Sequence, residues 1–181
     1  MENRFRKLDM PELGRKSAAE SLNGNKFPYV LVLDSFRSLM NVGSVFRTAD
    51  AFQAEKLFLC GYTGVPPHRE IQKTALGATE SVAWQYFETV EECVMYLKSE
   101  GYRVWAVEQT TLSTPLPEMD FSSGQSFAFV LGNEVSGVSD EALQHCEGVI
   151  EIPQFGSKHS LNVAVTAGIV AWEFVKANRK Q

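Results

Sequence analysis

The chain has 181 residues, 44% of them hydrophobic and 22% charged, and its formal net charge is −5 at pH 7. This length and composition fit one globular domain and argue against a disordered or fibrous chain, while the acidic balance argues against a protein that binds nucleic acid over its whole surface. Because there is no signal-peptide core, no apolar run of roughly 20 residues and no CxxC spacing, we expect a cytoplasmic protein without membrane contact, disulfides or a zinc site.

The first 26 residues differ in charge from the rest of the chain. This segment contains six basic residues, Arg4, Arg6, Lys7, Arg15, Lys16 and Lys26, and four acidic residues, Glu2, Asp9, Glu12 and Glu20. We therefore divide the chain into a basic N-terminal arm, residues 1–26, and a folded domain, residues 27–181. The arm can supply phosphate contacts that the acidic body lacks, and a solvated leader of mixed charge fits the same composition.

Apolar runs alternate with helical patterns along the domain. In chain order we predict strand 28–33, helix 41–52, strand 56–60, a short helix within 69–78, strand 84–87, helix 89–101, strand 102–109, a Pro-rich loop 110–125, strand 126–132, helix 140–146, strand 148–153 and helix 160–178. The strands show little polar alternation and are separated by helices. This pattern predicts an α/β fold in which a parallel sheet is covered by helices on both faces. Trp105 and Trp172 are assigned to the core.

Polar side chains cluster after three of the predicted strands. Asn41 and Arg47 come after strand 28–33, Asn133 and Glu134 after strand 126–132, and Ser160 and Asn162 after strand 148–153. Ligands bind beyond the carboxyl ends of the strands in such sheets, so we expect one shared site there. Ser160 is a suitable N-cap for the last helix, which leaves Asn162, inside the predicted first turn, without a structural explanation.

Several common sites are disfavoured by absent motifs. The chain has no GxGxxG after its first strand and no GxxxxGK[ST], GxSxG or HExxH. His68, His145 and His159 lack the spacing of metal ligands, so we expect no metal. A nucleophile–base pair of His159 and Ser160 is also disfavoured, because adjacent residues at a helix start point apart.

Three long segments resemble a known family. "NVGSVFRTADAF" (41–52), "FVLGNEVSGVSDEAL" (129–143) and "IPQFGSKHSLNVAVTAGI" (152–169) resemble, in order and spacing, the three motifs of the SpoU/TrmH family of RNA ribose 2′-O-methyltransferases, in the SPOUT superfamily. "KTALGA" (73–78) resembles a recurring loop between the first two motifs. The resemblance implies a C-terminal deep trefoil knot, S-adenosylmethionine as cofactor, RNA as partner and a homodimer.

The resemblance also implies roles for individual residues. The implied active-site set is Asn41, Arg47, Glu134, Ser160 and Asn162, and the residues implied to line the cofactor, largely through backbone atoms, are Val107, Gly132, Ile152, Ser160 and Leu161. The turn at Gly156 is expected to let the backbone approach the methyl donor. A guanidinium is effectively never deprotonated, so we expect Arg47 to stabilise the developing alkoxide or to grip an adjacent phosphate, acting from its own subunit or from the partner's.

The RNA substrate is left open between tRNA and rRNA, with tRNA favoured because no additional RNA-binding domain is evident. Two other functions remain as alternatives. One is a knotted dimer that binds RNA or cofactor without turnover, and the other is a base-methylating SPOUT enzyme. The Ser-Leu-Asn triplet at 160–162 favours the ribose class.

Overall fold

The structure is a computed structural model and describes residues 5–9, 11–122, 124–158 and 160–179, so the expectation for His159 lies outside the described residues. Seven strands alternate with helices along the chain. In order, the elements are α1 Ala18–Leu22, β1 Phe27–Asp34, α2 Leu39–Ala51, β2 Ala54–Cys60, α3 Arg69–Ala75, α4 Ala78–Ser81, β3 Trp84–Phe87, α5 Val90–Ser99, β4 Arg103–Val107, β5 Thr114–Pro115, a 3₁₀ turn Leu116–Glu118, β6 Phe127–Leu131, α6 Asp140–His145, β7 Gly148–Glu151 and α7 Val163–Asn178.

The strands form one sheet with the order β3-β2-β1-β6-β4-β7-β5. Every neighbouring pair is parallel, which confirms the prediction. The register aligns Leu33, Leu131, Val107 and Ile150, each at or near the end of its strand, across β1, β6, β4 and β7. The loops that follow these four strands therefore leave the sheet at one edge, where parallel sheets bind ligands.

Helices cover both faces of the sheet. On one face α2, α3, α4 and α7 pack over β1 and β6 through a core that includes Phe46, Phe129 and Phe174. On the other face α5 and α6 pack through residues such as Leu97 and Ala142. Fully burying one phenylalanine side chain, such as that of Phe129, stabilises the fold by roughly 1.5–3 kcal/mol. None of the helices in the described ranges is both long and apolar enough to cross a membrane.

The last helix begins later than predicted. α7 starts at Val163, and its N-cap is Asn162, whose side-chain oxygen accepts hydrogen bonds from the backbone N–H of Ala164 at 2.9 Å and of Val165 at 3.4 Å. The prediction of a helix from Ser160, with Asn162 inside its first turn, is therefore wrong. Asn and Ser are both strong N-cap residues, and in the structure it is the Asn162 side chain that accepts the first free N–H groups of α7.

Two further expectations are corrected on the same helix and in the loop 110–125. Trp172, assigned to the core, is 44% exposed, and its ring contacts Phe52 at a centroid distance of 5.9 Å. The segment predicted as loop contains the short strand β5, which extends the edge of the sheet by pairing with β7. The Pro-rich composition hid a strand of only two residues.

The C-terminal half of the basic arm is folded against the domain. The hydroxyl of Ser21, in α1, donates to the Asp50 carboxylate at 3.0 Å, and Ser81 in α4 donates to the same oxygen. The cations of the arm differ in availability. Arg6 pairs with Glu12, the Lys26 amine is buried, and Lys7, Arg15 and Lys16 are exposed. Burial lowers the pKa of Lys26, so this lysine is the least suited to contact a phosphate.

Candidate active site

A cavity of about 730 Å³ lies at the carboxyl edge of the sheet. Its walls come from the loops after β4, β6 and β7 and from the first turns of α6 and α7. Ligand sites in proteins typically have volumes of roughly 300–1,000 Å³. The cavity is therefore large enough for a ligand of cofactor size, at the place where the sequence predicts one.

Glu134 joins the loop after β6 to the loop after β1. One carboxylate oxygen accepts the backbone N–H of Arg37 at 2.8 Å, and the other accepts the N–H of Ser38 at 3.0 Å and the side-chain amide of Asn41 at 2.8 Å. Partial burial raises the pKa of Glu134, and the hydrogen bonds from Arg37, Asn41 and Ser38 together outweigh it, so the pKa lies below its ordinary value. This carboxylate is a firmly held acceptor of hydrogen bonds.

Asn41 connects this pair of loops to the start of α7. While its amide group donates to Glu134, its side-chain oxygen accepts a hydrogen bond from the Asn162 side chain at 3.2 Å. The three motifs of the sequence thus meet through three side chains: Asn41, Glu134 and Asn162. Glu134 and Asn162 also line the cavity, so this hydrogen-bonded chain forms part of its rim.

Asn133 holds the loop after β6 in place through hydrogen bonds, a role that the sequence analysis did not assign to it. The side chain is buried. Its amide donates to the Ser35 carbonyl and to the Tyr62 hydroxyl, both at 2.6 Å, while its oxygen accepts the backbone N–H groups of Val135 and Ser136. Asn133 precedes Glu134 in the segment "FVLGNEVSGVSDEAL", and its position directly after a buried strand is the signal that would have identified it.

Asp34, the last residue of β1, is a second support that the sequence did not reveal. Its carboxylate is 4% exposed and accepts the backbone N–H of Ser139 at 3.0 Å. Ser139 is the N-cap of α6. The hydrogen bond therefore connects the end of β1 to the start of a helix that borders the cavity. In the sequence alone, an acidic residue at the end of an apolar strand indicates only where the strand stops.

Glycine is required at two positions in the loop after β6. A Cβ at Gly132 would lie 2.1 Å from the Gly137 carbonyl carbon and from the Val138 nitrogen, and a Cβ at Gly137, where φ is +73°, would lie 2.2 Å from a carboxylate oxygen of Glu108. The loop folds back on the end of β6 at this distance only because both side chains are absent. Gly156 differs, since a Cβ there would meet nothing within 4 Å.

The residues predicted to line the cofactor all border the cavity. Val107 is the last residue of β4, Gly132 directly follows β6, and Ile152, Ser160 and Leu161 lie between β7 and α7. The Ser160 side chain is exposed, and it makes no hydrogen bond to any residue that the structure describes. Its hydroxyl is therefore available to a ligand in the cavity.

Two predicted site residues, Asn41 and Arg47, are not among those that line this cavity. Asn41 is hydrogen-bonded to two residues that do line it, Glu134 and Asn162, whereas Arg47 lies apart from it. Arg47 is exposed on α2 and lines a separate depression of about 440 Å³ together with Lys73, Ser44, Thr48 and Thr74, among other residues. Within the described part of the chain, its guanidinium forms no hydrogen bond or ion pair. Asn41 and Arg47 are six residues apart, which places them about 120° apart around a helix.

The two concave regions have opposite charge. The charged residues among those lining the cavity are Glu108, Glu134 and Asp140, whereas those of the depression are Arg47 and Lys73. An acidic cavity suits a ligand with positive charge, and a basic depression suits an anion such as a phosphate. No cluster of three His, Cys, Asp or Glu side chains suitable for a metal ion occurs among the described residues.

Comparison with known proteins connects this geometry to one family. The model of the SpoU rRNA Methylase family matches residues 28–172. A putative TrmH family tRNA/rRNA methyltransferase of Staphylococcus saprophyticus is 30% identical over 85% of this chain and 61% of its own length. The tRNA (guanosine(18)-2′-O)-methyltransferase of Thermus thermophilus is 28% identical over 90% of this chain and 81% of its own.

A solved structure supports the same relationship. The AdoMet-bound rRNA methyltransferase of Sinorhizobium meliloti superimposes with a TM-score of 0.79 and 25% identity, over 92% of this chain and 62% of the other. The chain therefore spans less than two thirds of the length of the Staphylococcus and Sinorhizobium proteins. What those longer proteins do as a whole does not pass to this chain by similarity alone.

Proposed function

This chain belongs to the SpoU rRNA Methylase family, and we propose that it transfers a methyl group from S-adenosylmethionine to a ribose 2′-hydroxyl of tRNA or rRNA. The observation that supports this most directly is the hydrogen-bonded chain Glu134–Asn41–Asn162 at the rim of the cavity, in which Asn41 is the central residue. It holds three separate motifs at the edge of the sheet where a donor and an acceptor can be aligned. Proximity of this kind supplies much of the rate of a group transfer.

The cavity has the features that S-adenosylmethionine needs. Apolar side chains such as Val107, Leu131 and Ile150 offer walls for a flat ring system, and acidic groups suit a positively charged ligand. Gly132 lets the facing backbone approach closely. When bound, the cofactor supplies an electrophilic methyl group on a sulfonium. The backbone around Gly132, Ile152 and Leu161 would hold it, with Ser160 at its polar side.

The chain's own residues act on the ribose hydroxyl and on its surroundings. A ribose hydroxyl is a weak nucleophile, and its proton must leave as oxygen attacks. Arg47 stays protonated, so it stabilises the developing negative charge on that oxygen or binds the neighbouring phosphate. Glu134 is held by three donors and is an organiser of the rim, not the base.

We further propose a homodimer in which Arg47 acts on the partner's cavity. Its position outside the cavity of its own chain supports this arrangement. Apolar side chains are also left exposed along α7 and the start of α2: Met40 at 53%, Val165 at 51% and Trp172 at 44%. Burying such a patch against a second copy removes apolar surface from water. Sedimentation of the purified chain measures this association directly.

A C-terminal trefoil knot is part of the same proposal. β7 lies beyond β4, yet α7, which follows it, packs against α2 and β1. Residues 152–162 must therefore return past the ends of β4 and β6, where the loops after those strands also lie. A path of the chain through the loop formed by those segments gives a knot, which is rare among folds. An experimental structure that traces residues 152–163 relative to loop 108–126 tests it.

The deciding experiment is nucleoside mass spectrometry. Bulk RNA from cells lacking the gene is incubated with the purified protein and methyl-labelled S-adenosylmethionine, with Arg47→Ala as the inactive control. We expect labelled 2′-O-methylribose, and the position of the label identifies the RNA as tRNA or rRNA. Label in a base would reassign the chain to base methylation. If the protein binds RNA or S-adenosylmethionine but no label is transferred, the chain is a non-catalytic binding module.

A further inference from the structure

Glu108 directly follows β4 and borders the proposed cofactor cavity. Its side chain is half-buried. One carboxylate oxygen accepts the Val138 N–H at 3.0 Å and the other accepts the Gln109 N–H at 2.8 Å. A carboxylate has about four acceptor positions, so these two hydrogen bonds fix its orientation and leave capacity toward the cavity.

Asp140, the first residue of α6, also borders the cavity. Glu134, the third acidic residue of the lining, is occupied by three hydrogen bonds from its own chain. No Lys or Arg occurs among the described residues that line the cavity. The negative charge of Glu108 and Asp140 is therefore not neutralised within the cavity wall.

We propose that Glu108 and Asp140 make the cavity select its ligand by charge, favouring the methyl donor over the spent product. This inference rests on the proposed function. S-adenosylmethionine carries a sulfonium, an ammonium and a carboxylate, and thus a net charge of about +1 at neutral pH. When the methyl group leaves for the ribose oxygen, the electrons of the S–C bond stay on sulfur and the hydroxyl proton is released. The product, S-adenosylhomocysteine, then has a neutral thioether.

The acidic cavity attracts the donor and loses that attraction once transfer has occurred. The product therefore lacks an attraction that the donor has, and fresh donor competes with it more effectively than it would in a neutral cavity. The attraction between unit charges is appreciable at about 4–6 Å in a partly shielded site and is weakened by salt. Since Glu108 is half-buried and Asp140 exposed, we expect Glu108 to contribute the larger part.

Calorimetric titration with two non-reactive ligands isolates the charge. S-adenosylhomocysteine is neutral at the reacting atom, whereas sinefungin has nearly the same shape with a protonated amine in place of the sulfonium. We expect the wild-type protein to bind sinefungin more tightly. We define the preference ratio as the dissociation constant of S-adenosylhomocysteine divided by that of sinefungin. Glu108→Gln should reduce this ratio by roughly three- to tenfold, and Asp140→Asn should reduce it by a smaller factor. Added salt should reduce the wild-type ratio.

Glu141→Gln is the matched control, because Glu141 is exposed beside Asp140 on α6 and does not line the cavity. Its ratio should equal that of the wild type. If Glu108 only supported the loop through Val138, Glu108→Gln would weaken both ligands equally and leave the ratio unchanged, which overturns the inference alone. Failure of the wild-type protein to bind either ligand or the donor would instead overturn the cofactor assignment, and the inference with it.

Discussion

The side-chain amide of Asn162 donates a hydrogen bond to the side-chain oxygen of Asn41 at 3.2 Å, across 121 positions of sequence. Asn41 passes the connection on to Glu134. Asn162 has a second task, since the same side chain caps α7 through its oxygen. One asparagine therefore fixes the start of the last helix and joins it to the remaining two motifs, which explains why Asn suits this position better than another N-cap residue.

These two tasks of Asn162 can be separated by substitution. Asn162→Ser keeps an oxygen that caps α7 but removes the amide that reaches Asn41, so we expect the unfolding free energy to change by only a few tenths of a kcal/mol. Methyl transfer should fall roughly ten- to a hundredfold, because the rim loses its alignment. Asn162→Ala loses the cap as well and should cost about 1 kcal/mol of stability. Chemical denaturation and transfer assays measure both; full activity of Asn162→Ser would contradict the bridging role.

Glu134 makes the stability of the protein depend on pH. Its pKa in the folded protein lies below the ordinary value of 4.5, so the unfolded chain binds more protons in this range. The stabilisation is therefore complete above about pH 4.5 and is lost as the pH falls through the lower, folded-state pKa. We expect Glu134→Gln to cost about 1 kcal/mol at neutral pH, because the site is open to solvent.

The pH dependence of that difference is the measurement. Urea unfolding of both proteins, repeated at decreasing pH, should show the gap between wild type and Glu134→Gln closing as Glu134 becomes protonated. Other carboxylates with lowered pKa, such as Glu12 and Glu20, affect both proteins alike and cancel. A gap that stays constant down to low pH would contradict a role for the charge of Glu134.

The sequence predicts the strands well because each central strand is a continuous apolar run, as in "FAFVL" of β6, whose residues are all buried. It does not predict the order of the strands. The position of β6 between β1 and β4 depends on packing among distant segments. The sequence also does not predict that Asn162 is the N-cap of α7, since Ser160, two residues earlier, is an equally suitable N-cap residue.

The site follows a similar division. Motif order brings Asn41, Glu134 and Asn162 to one edge of the sheet, and the structure adds the hydrogen bonds among them. The separation of Arg47 from Asn41 could have been foreseen from six-residue spacing on a helix. The role proposed for Glu108 could not, because it depends on a cavity wall built from distant segments and on the backbone N–H of Val138, 30 positions away, which orients the carboxylate.

Gly132 should tolerate no side chain. In Gly132→Ala the new Cβ would lie 2.1 Å from two backbone atoms of the facing loop, so the loop must shift. We expect a loss of roughly 1–3 kcal/mol in unfolding free energy and a marked loss of cofactor affinity by calorimetry. Gly156→Ala, in open space, is the matched control for stability and should stay within about 0.5 kcal/mol of the wild type.

The basic arm should contribute to RNA binding through its exposed cations. Replacing Arg15 and Lys16 together by Gln should lower RNA affinity and flatten the dependence of log K on log salt, by about 0.7–0.9 for each phosphate that the variant no longer neutralises. Arg6→Gln is the control, because Arg6 is already paired with Glu12 and should change the slope little. An unchanged slope in the Arg15 and Lys16 variant would exclude the arm from the interface.

Arg47 should be required for methyl transfer and dispensable for cofactor binding. Its guanidinium lies outside the cavity, so Arg47→Ala should abolish transfer while S-adenosylmethionine binds with unchanged affinity in calorimetry. Unimpaired turnover would defeat the assignment of Arg47. A loss of cofactor affinity would mean that Arg47 reaches the cavity in its own chain.

Mixing Arg47→Ala with Glu134→Gln, after each variant has been assayed alone and shown to be inactive, tests whether Arg47 acts across a dimer. In a mixed dimer of Arg47→Ala and Glu134→Gln chains, an arginine acting in trans gives one site with both residues intact and one site with neither. Random exchange makes half of the dimers mixed, so about a quarter of wild-type activity should return. If Arg47 acts within its own chain, every site in the mixture lacks one of the two residues, and no activity returns. Subunit exchange verified by mass spectrometry of tagged chains makes either result decisive.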